Sequence, residues 1–276
     1  MVVEVIAGFG ARSTALLADA LHNLGDVGGL ALALGAAWLA RRAATAKRTY
    51  GFRRSTLLAG LANATLIFLS VGVVLWEALH HLRQPAPVNG KLVMAVAAAG
   101  VVVNGISAFL LLRSHGSAKD VNVRGAVVHL AGDALISAGV VVSGLIITFT
   151  GWSLVDPVTS IVISLVVLVA TWRLLRDSLD LVLDAVPGDV AAEDVAAALR
   201  VEKGVVAVHD LHIWATSSTQ TALTAHLVVD DAAAPGLVLR LSRGLEERFG
   251  ISHVTLQVER EGEGDAQCAQ GEGCLG

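Results

Sequence analysis

This chain is short of charge. Only 16% of its 276 residues are Asp, Glu, Lys or Arg, against about 25% in ordinary soluble chains. The deficit is concentrated: residues 57–76, 92–112, 134–155 and 157–172 contain no charged residue. About 20 apolar residues, at about 1.5 Å rise each, cross a bilayer core. Four such runs in succession, with a mean hydropathy of +0.68, exclude a chain of buried soluble helices and describe a membrane protein. Cysteine is almost absent. Cys268 and Cys274 both lie in the polar tail "GEGDAQCAQGEGCLG", where they read either as one disulfide or as a short metal clip. A basic stretch followed by an apolar core and a small-residue cleavage pattern is missing from "MVVEVIAGFGARST", which excludes a cleavable signal peptide. The first apolar run ends near Phe9. It is too short to span, and reads as the last turns of a truncated helix or as a membrane-surface stub. The net charge of −4 constrains little, because the charges gather after residue 173.

What is there is a series of helices. A partial first helix covers 1–9, followed by 13–40, 55–82, 90–113, 122–150 and 154–178. Ser13 or Thr14 has the chemistry to cap the second. Pro85 and Pro87 mark one loop, and Pro157 biases Asp156 away from helix in another, "TGWSLVDP". The loop "RRAATAKRTYGFRR" carries Arg41, Arg42, Lys47, Arg48, Arg53 and Arg54, whereas the next, "HHLRQPAPVNGK", has only Arg83 and Lys91. "RSHGSAKDVNVR" is basic again, "TGWSLVDP" has no basic residue, and the exit "WRLLRD" has Arg173 and Arg176. Basic loops face the cytoplasm, so the tail is cytoplasmic, and a completed first helix gives six spans with both termini inside. The membrane domain is therefore expected over 1–185.

From about Val186 the periodicity changes. "VAAEDVAAALRV" and "PGLVLRLSRGLEERFG" read as helices, the latter closed by Gly250. "VVAVHDLHIWAT", "TALTAHLVVD" and "SHVTLQVE" are short, β-branched strands. The αββαβ order over 186–260 predicts a small α+β domain with helices on one face of a three-stranded sheet, followed by a tail over 261–276. Leu223, Ala225, Leu227 and Val229 take its apolar face, as do Val254, Leu256 and Val258. His226 points the other way, with His253, Gln257 and Glu259 facing out of the last strand.

Against this apolar background, "LADALHNLGDVGG" holds Asp19, His22 and Asp26. An Asp at the middle of a membrane helix costs about 2.5–3.5 kcal/mol on insertion scales, so a functional or pairing role is the default reading. His22 and Asp26 are four apart and share a helix face. "HLAGD" places His129 and Asp133 at the same spacing in the fifth helix. A single pair reads equally as a hydrogen-bonded clamp within its helix. Two pairs at one spacing point instead to two imidazoles and two carboxylates converging between packed helices. That set suits tetrahedral Zn2+, with Co2+ or Cd2+ fitting similarly, and its charge balances the ion in a low dielectric. Soft thiolate metals find no Cys or Met beside it. Asp19 fits best beside the ligands, since a fifth would overfill the tetrahedron; a plain carboxylate near the helix start is the other reading. Asn23 and Asn104 read as interhelical hydrogen-bond partners. An ion site inside a membrane serves an ion that crosses, and histidines that titrate near neutrality can exchange metal for protons as helices rock around them.

These motifs, "ALLADALHNLGDVGGL", "KRTYGFRR", "HLAGDALIS" and "VHDLHIWA…HVTLQVE", resemble the zinc and cadmium exporter branch of the cation diffusion facilitator family over nearly the whole chain. The resemblance implies a six-helix bundle with a metallochaperone-like (ferredoxin-like) cytoplasmic domain. It implies a homodimer in the bacterial cytoplasmic membrane, exporting divalent cations against protons, with no nucleic-acid partner. It makes His22, Asp26, His129 and Asp133 the transport ligands, and Arg54 and Asp184 a charge interlock; both also read as ordinary interface charges. The segment "RSHGSAKD", with His115 alone, lacks a long His-rich loop. The family also binds regulatory metal on the cytoplasmic domain, where His226, His209, His253, Glu259, Cys268 and Cys274 are the candidates. Histidines on a strand's polar face are the plainer reading. The other function classes are a membrane metal sensor or scaffold that binds metal through the tail, an exporter of another divalent metal, and an intramembrane metalloenzyme. The last lacks H-E-x-x-H and an open coordination position.

Overall fold

The computed structural model describes residues 2–113 and 121–260; Cys268, Cys274 and His115 lie outside them. Six helices come first: α1 (Val2–Ala11), α2 (Thr14–Ala40), α3 (Ser55–Arg83), α4 (Gly90–Arg113), α5 (Val121–Thr150) and α6 (Val155–Val182). They are followed by α7 (Ala192–Arg200), β1 (Val205–Ser217), β2 (Gln220–Val229), α8 (Leu237–Phe249) and β3 (Ile251–Arg260). Among the described residues, α2, α3, α4, α6 and Ala126–Thr150 of α5 are long and apolar enough to cross a membrane, and α1 is shorter. The chain divides into two units, residues 1–31 with 62–175 and residues 32–61 with 176–276.

The first unit is built from small residues. Ala7, Ala11, Ala15, Ala18 and Ala97 pack with Leu16, Val71, Val93, Val140 and Ile163 in its buried core. A Cβ on Gly90 would fall 2.7 Å from the Gly144 carbonyl oxygen, and one on Gly144 would fall 2.8 Å from the Met94 nitrogen. Backbone therefore meets backbone where α4 crosses α5, the close approach that small residues permit between membrane helices. The opposite faces are apolar too: Trp76, Leu135, Val169 and Phe149 are 74–81% exposed, as suits lipid and not water.

The start of α2 is fixed by another helix. The Leu16 N–H donates to the Ser13 hydroxyl oxygen at 3.0 Å, a side-chain cap. Asp156 on α6 accepts the Thr14 N–H at 2.6 Å, the Thr14 hydroxyl at 2.9 Å and the Ala15 N–H at 3.3 Å. The Ser13 hydroxyl also donates to it. Asp156 thus lies inside the first turn of α6 rather than in the expected loop. Pro157 is tolerated there because the first-turn N–H it lacks has no intrahelical acceptor. The other end of α6 runs to Val182, past the expected 178, where Arg176 and Asp180 pair one turn apart at 3.9 Å.

In the second unit the sheet order is β1-β2-β3. β1 and β2 are antiparallel, whereas β2 and β3 are parallel, joined through α8. Val195 and Leu199 of α7 and Leu241 and Leu245 of α8 cover Leu211, Ile213, Leu223, Leu227 and Ile251. Val254 and Leu256 pack against this core, but Val258 does not and is 45% exposed. It sits near the end of an edge strand, beside an open cleft shared with Val229 and Leu237. Register breaks between His209 and His212, where Asp210 has a φ of +52°, the signature of a bulge.

Candidate metal centre

Helices α2 and α5 bring the two H-x-x-x-D pairs together. His22 Nε2 is 3.3 Å from Asp133 Oδ1 and 3.8 Å from Asp26 Oδ2. His129 Nε2 is 3.6 Å from Asp26 Oδ2 and 3.7 Å from Asp133 Oδ2. Four atoms at about 2.0–2.1 Å from a tetrahedral Zn2+ stand about 3.3–3.4 Å apart. The four nitrogen–oxygen distances are near that length, but the two to Asp133 run to different carboxylate oxygens, and His129, about half exposed, would have to move inward to complete a tetrahedron. Ligand atoms of His22, Asp26 and Asp133 all lie within 4.8 Å of one another. Asp133 is buried, and Asp26 Oδ2, which faces both histidines, is buried without a hydrogen-bond partner, which leaves polar capacity for an ion. The cluster borders a cavity of about 980 Å³ lined by Asp26, His129, Asp133, Asn23 and Asn104.

Asp19 is fully buried one turn before His22. Its Oδ2 accepts the Ser137 hydroxyl of α5 at 2.9 Å, while Oδ1 has no hydrogen-bond partner. It stands beside the His22, Asp26 and Asp133 group and not in it. Glu4 of α1 escaped the sequence reading. It is 9% exposed, accepts the Asn23 amide at 3.4 Å and lines the same cavity. An acidic residue in an apolar stretch was the available signal.

A second cluster lies on the sheet. His209 and His226 are cross-strand partners with ring centroids 5.1 Å apart. Glu259 reaches both, with Oε2 3.2 Å from His209 Nε2 and Oε1 2.9 Å from His226 Nδ1. Burial raises the Glu259 carboxyl, but its hydrogen bond with His209 and the charges of His209 and His226 outweigh that and hold it below the ordinary glutamate value. One ligand atom from each of the three lies within 4.8 Å of the others. The bulge adds Asp210, whose Oδ2 is 3.8 Å from His226 Nε2 and whose Oδ1 is 3.1 Å from His212 Nε2. Neither Asp210 nor His212 was singled out from sequence, because a strand without a bulge aims them elsewhere. His253 is not in this cluster; its Nε2 is 3.3 Å from the Tyr50 hydroxyl. Arg54 Nη2 and Asp184 Oδ1 pair at 2.9 Å, both about half exposed.

Comparison with known proteins covers nearly the whole chain. The profile of the cation efflux transmembrane domain matches residues 1–183, and that of the cation efflux protein cytoplasmic domain matches residues 187–261. The metal cation efflux system protein CzcD of Cupriavidus metallidurans is 40% identical over 94% of this chain and 82% of its own length. The zinc transporter ZitB of Escherichia coli is 37% identical over 100% of this chain and 88% of its own. The cadmium, cobalt and zinc/H(+)-K(+) antiporter of Bacillus subtilis is 32% identical over 95% and 85%. A solved metal-bound C-terminal domain of the CzcD transporter covers 25% of this chain at 42% identity, with a TM-score of 0.24. The protein is thus an integral membrane protein with its C-terminal domain in the cytoplasm, and the chain belongs to the cation diffusion facilitator family of cation efflux proteins.

Proposed function

We propose that the protein exports Zn2+, with Cd2+ and Co2+ as related cargo, from the cytoplasm in exchange for protons. The ion binds between His22, Asp26, His129 and Asp133 while the helices around them open alternately to each side. The observation that carries this reading is the convergence of the two His–Asp pairs, with His22–Asp133 at 3.3 Å and His129–Asp26 at 3.6 Å between α2 and α5. Two carboxylates in a low dielectric need compensating positive charge. A divalent ion supplies it in one half of the cycle and protons in the other. We read the protein as a secondary transporter: four side chains closing a tetrahedron on the ion would leave no position for an activated water. Relatives named for zinc, cadmium and cobalt, one of them an H(+)-K(+) antiporter, support the cargo and the coupling.

His209, His226 and Glu259 form a regulatory Zn2+ site in the cytoplasm, and the working unit is a homodimer, in keeping with the family resemblance. Cells stripped of other zinc exporters test the assignment. The wild-type chain should restore growth on elevated zinc, and His129→Ala should not. Growth restored equally by His129→Ala would reject the site. Rescue on manganese but not on zinc would reject the metal.

A further inference from the structure

The loop between α2 and α3 carries six basic residues in "RRAATAKRTYGFRR". It is not a loose tether. The Thr45 and Arg48 backbones exchange hydrogen bonds at 3.0 Å, and the Gly51 N–H closes on the Arg48 carbonyl at 2.9 Å. Gly51 has a φ of +67°, and a Cβ there would lie 3.1 Å from the Arg42 carbonyl oxygen. The fold therefore holds this loop back against the end of α2. Within the same unit it faces the β1–β2 turn, where the Ser218 N–H donates to the Thr56 hydroxyl oxygen at 2.9 Å. Between them lies a cavity of about 520 Å³ lined by Arg41, Arg42 and Arg53 together with Thr49 and Ser218, and by no carboxylate.

Three guanidinium groups around one cavity repel one another unless an anion joins them. Elsewhere on this loop two arginines are matched: Arg54 pairs with Asp184 and Arg48 stacks over Phe52 at 4.5 Å. Arg41 and Arg53 pair with no carboxylate among the described residues. Arg42 stacks over Trp38 at 4.5 Å, a contact that uses the guanidinium face and leaves its edge N–H groups to donate. Planar forks plus hydroxyl donors are the chemistry that recognises phosphate oxygens. The cavity begins where α2 leaves the membrane on the cytoplasmic side, the side on which basic residues meet anionic lipid.

We propose that this cavity binds a phosphate group, held by Arg41 and Arg53 with Thr49 and Ser218 donating, and that its source is the headgroup of an anionic lipid of the cytoplasmic leaflet. A bound headgroup would tie the basic loop to the β1–β2 turn. Native mass spectrometry of the full chain in detergent tests this with dioleoyl phosphatidylglycerol against dioleoyl phosphatidylcholine. The wild type should retain the glycerol lipid selectively. Arg41→Gln with Arg53→Gln should weaken retention about tenfold or more, and Arg48→Gln, outside the cavity, should leave it within about twofold. Ser218→Glu, which puts a carboxylate on the exposed turn, should mimic the double variant if the latter does not purify. Inorganic phosphate at constant ionic strength is the other arm. If it raises the melting temperature of the wild type but not of Ser218→Glu, while neither lipid is selected, the phosphate site stands and its lipid source falls. Equal losses in Arg48→Gln and the cavity variants, or no response to either probe, would overturn the proposal.

Discussion

Asp26 and Asp133 each stand within 3.8 Å of both His22 and His129. If these groups hold the proposed ion, either carboxylate is half of the negative charge that offsets it, and replacement by the amide would change that balance. Asp26→Asn should bind Zn2+ at least tenfold more weakly in titrations of the full chain, while Asn104→Ala, on the cavity wall, should change binding far less. Glu259 makes a different prediction. Its folded value is lowered from the ordinary 4.5, so it contributes stability above that pH, and loses it as pH falls through the folded value. Below about pH 4.5, exchange protection of β2 and β3 amides should fall faster in the wild type than in Glu259→Gln. Equal pH profiles would show that the histidines do not hold this carboxylate. The four membrane residues were readable in the sequence because ionisable groups are rare in apolar helices and helical spacing fixes which share a face. The sheet cluster was only partly readable. Strand alternation put His226 and Glu259 on one face, but the bulge that turns Asp210 toward His226, and the Tyr50 contact that occupies His253, come from long-range packing.

Each helix's extent followed closely from the apolar runs, because lipid demands unbroken backbone hydrogen bonding. What the runs do not encode is how the helices are pinned to one another. Asp156 read as a loop residue, yet its carboxylate satisfies backbone and hydroxyl donors at the start of α2. Charged hydrogen bonds of this kind contribute about 1.5–3 kcal/mol each, and removing the acceptor strands buried donors. Asp156→Ala should therefore lower stability by about 3 kcal/mol in detergent unfolding. It should also loosen exchange protection at Thr14–Leu17, in the two turns before His22. Gly144 makes the corresponding case between α4 and α5. Val at this position would drive its side chain into the Met94 backbone, 2.8 Å from where Cβ begins. Overpacking of this kind costs about 1–3 kcal/mol, and because α5 carries His129 and Asp133, transport should fall along with stability. Stability lost with transport intact would mean that the α4–α5 crossing does not set the ligand geometry.

For the whole molecule, the αββαβ order was readable from the change in periodicity after residue 186, whereas the parallel β2–β3 pairing was not. Antiparallel and parallel neighbours share the same alternation, and only the length of the α8 connection separates them. The Arg54–Asp184 pair is about half exposed on both sides, so on its own it is worth about 0–1 kcal/mol. Arg54→Ala should barely move the melting temperature. If it nonetheless slows transport, the pair works by holding the loop and the segment after α6 in register.

The central claim is that protons and Zn2+ share one site between α2 and α5. Zn2+ uptake into sealed vesicles containing the purified protein, driven by an imposed pH gradient, tests it most directly. Uptake should track the gradient in wild type and vanish in Asp133→Ala, while Glu259→Gln still transports. Gradient-driven uptake that persists in Asp133→Ala would contradict it.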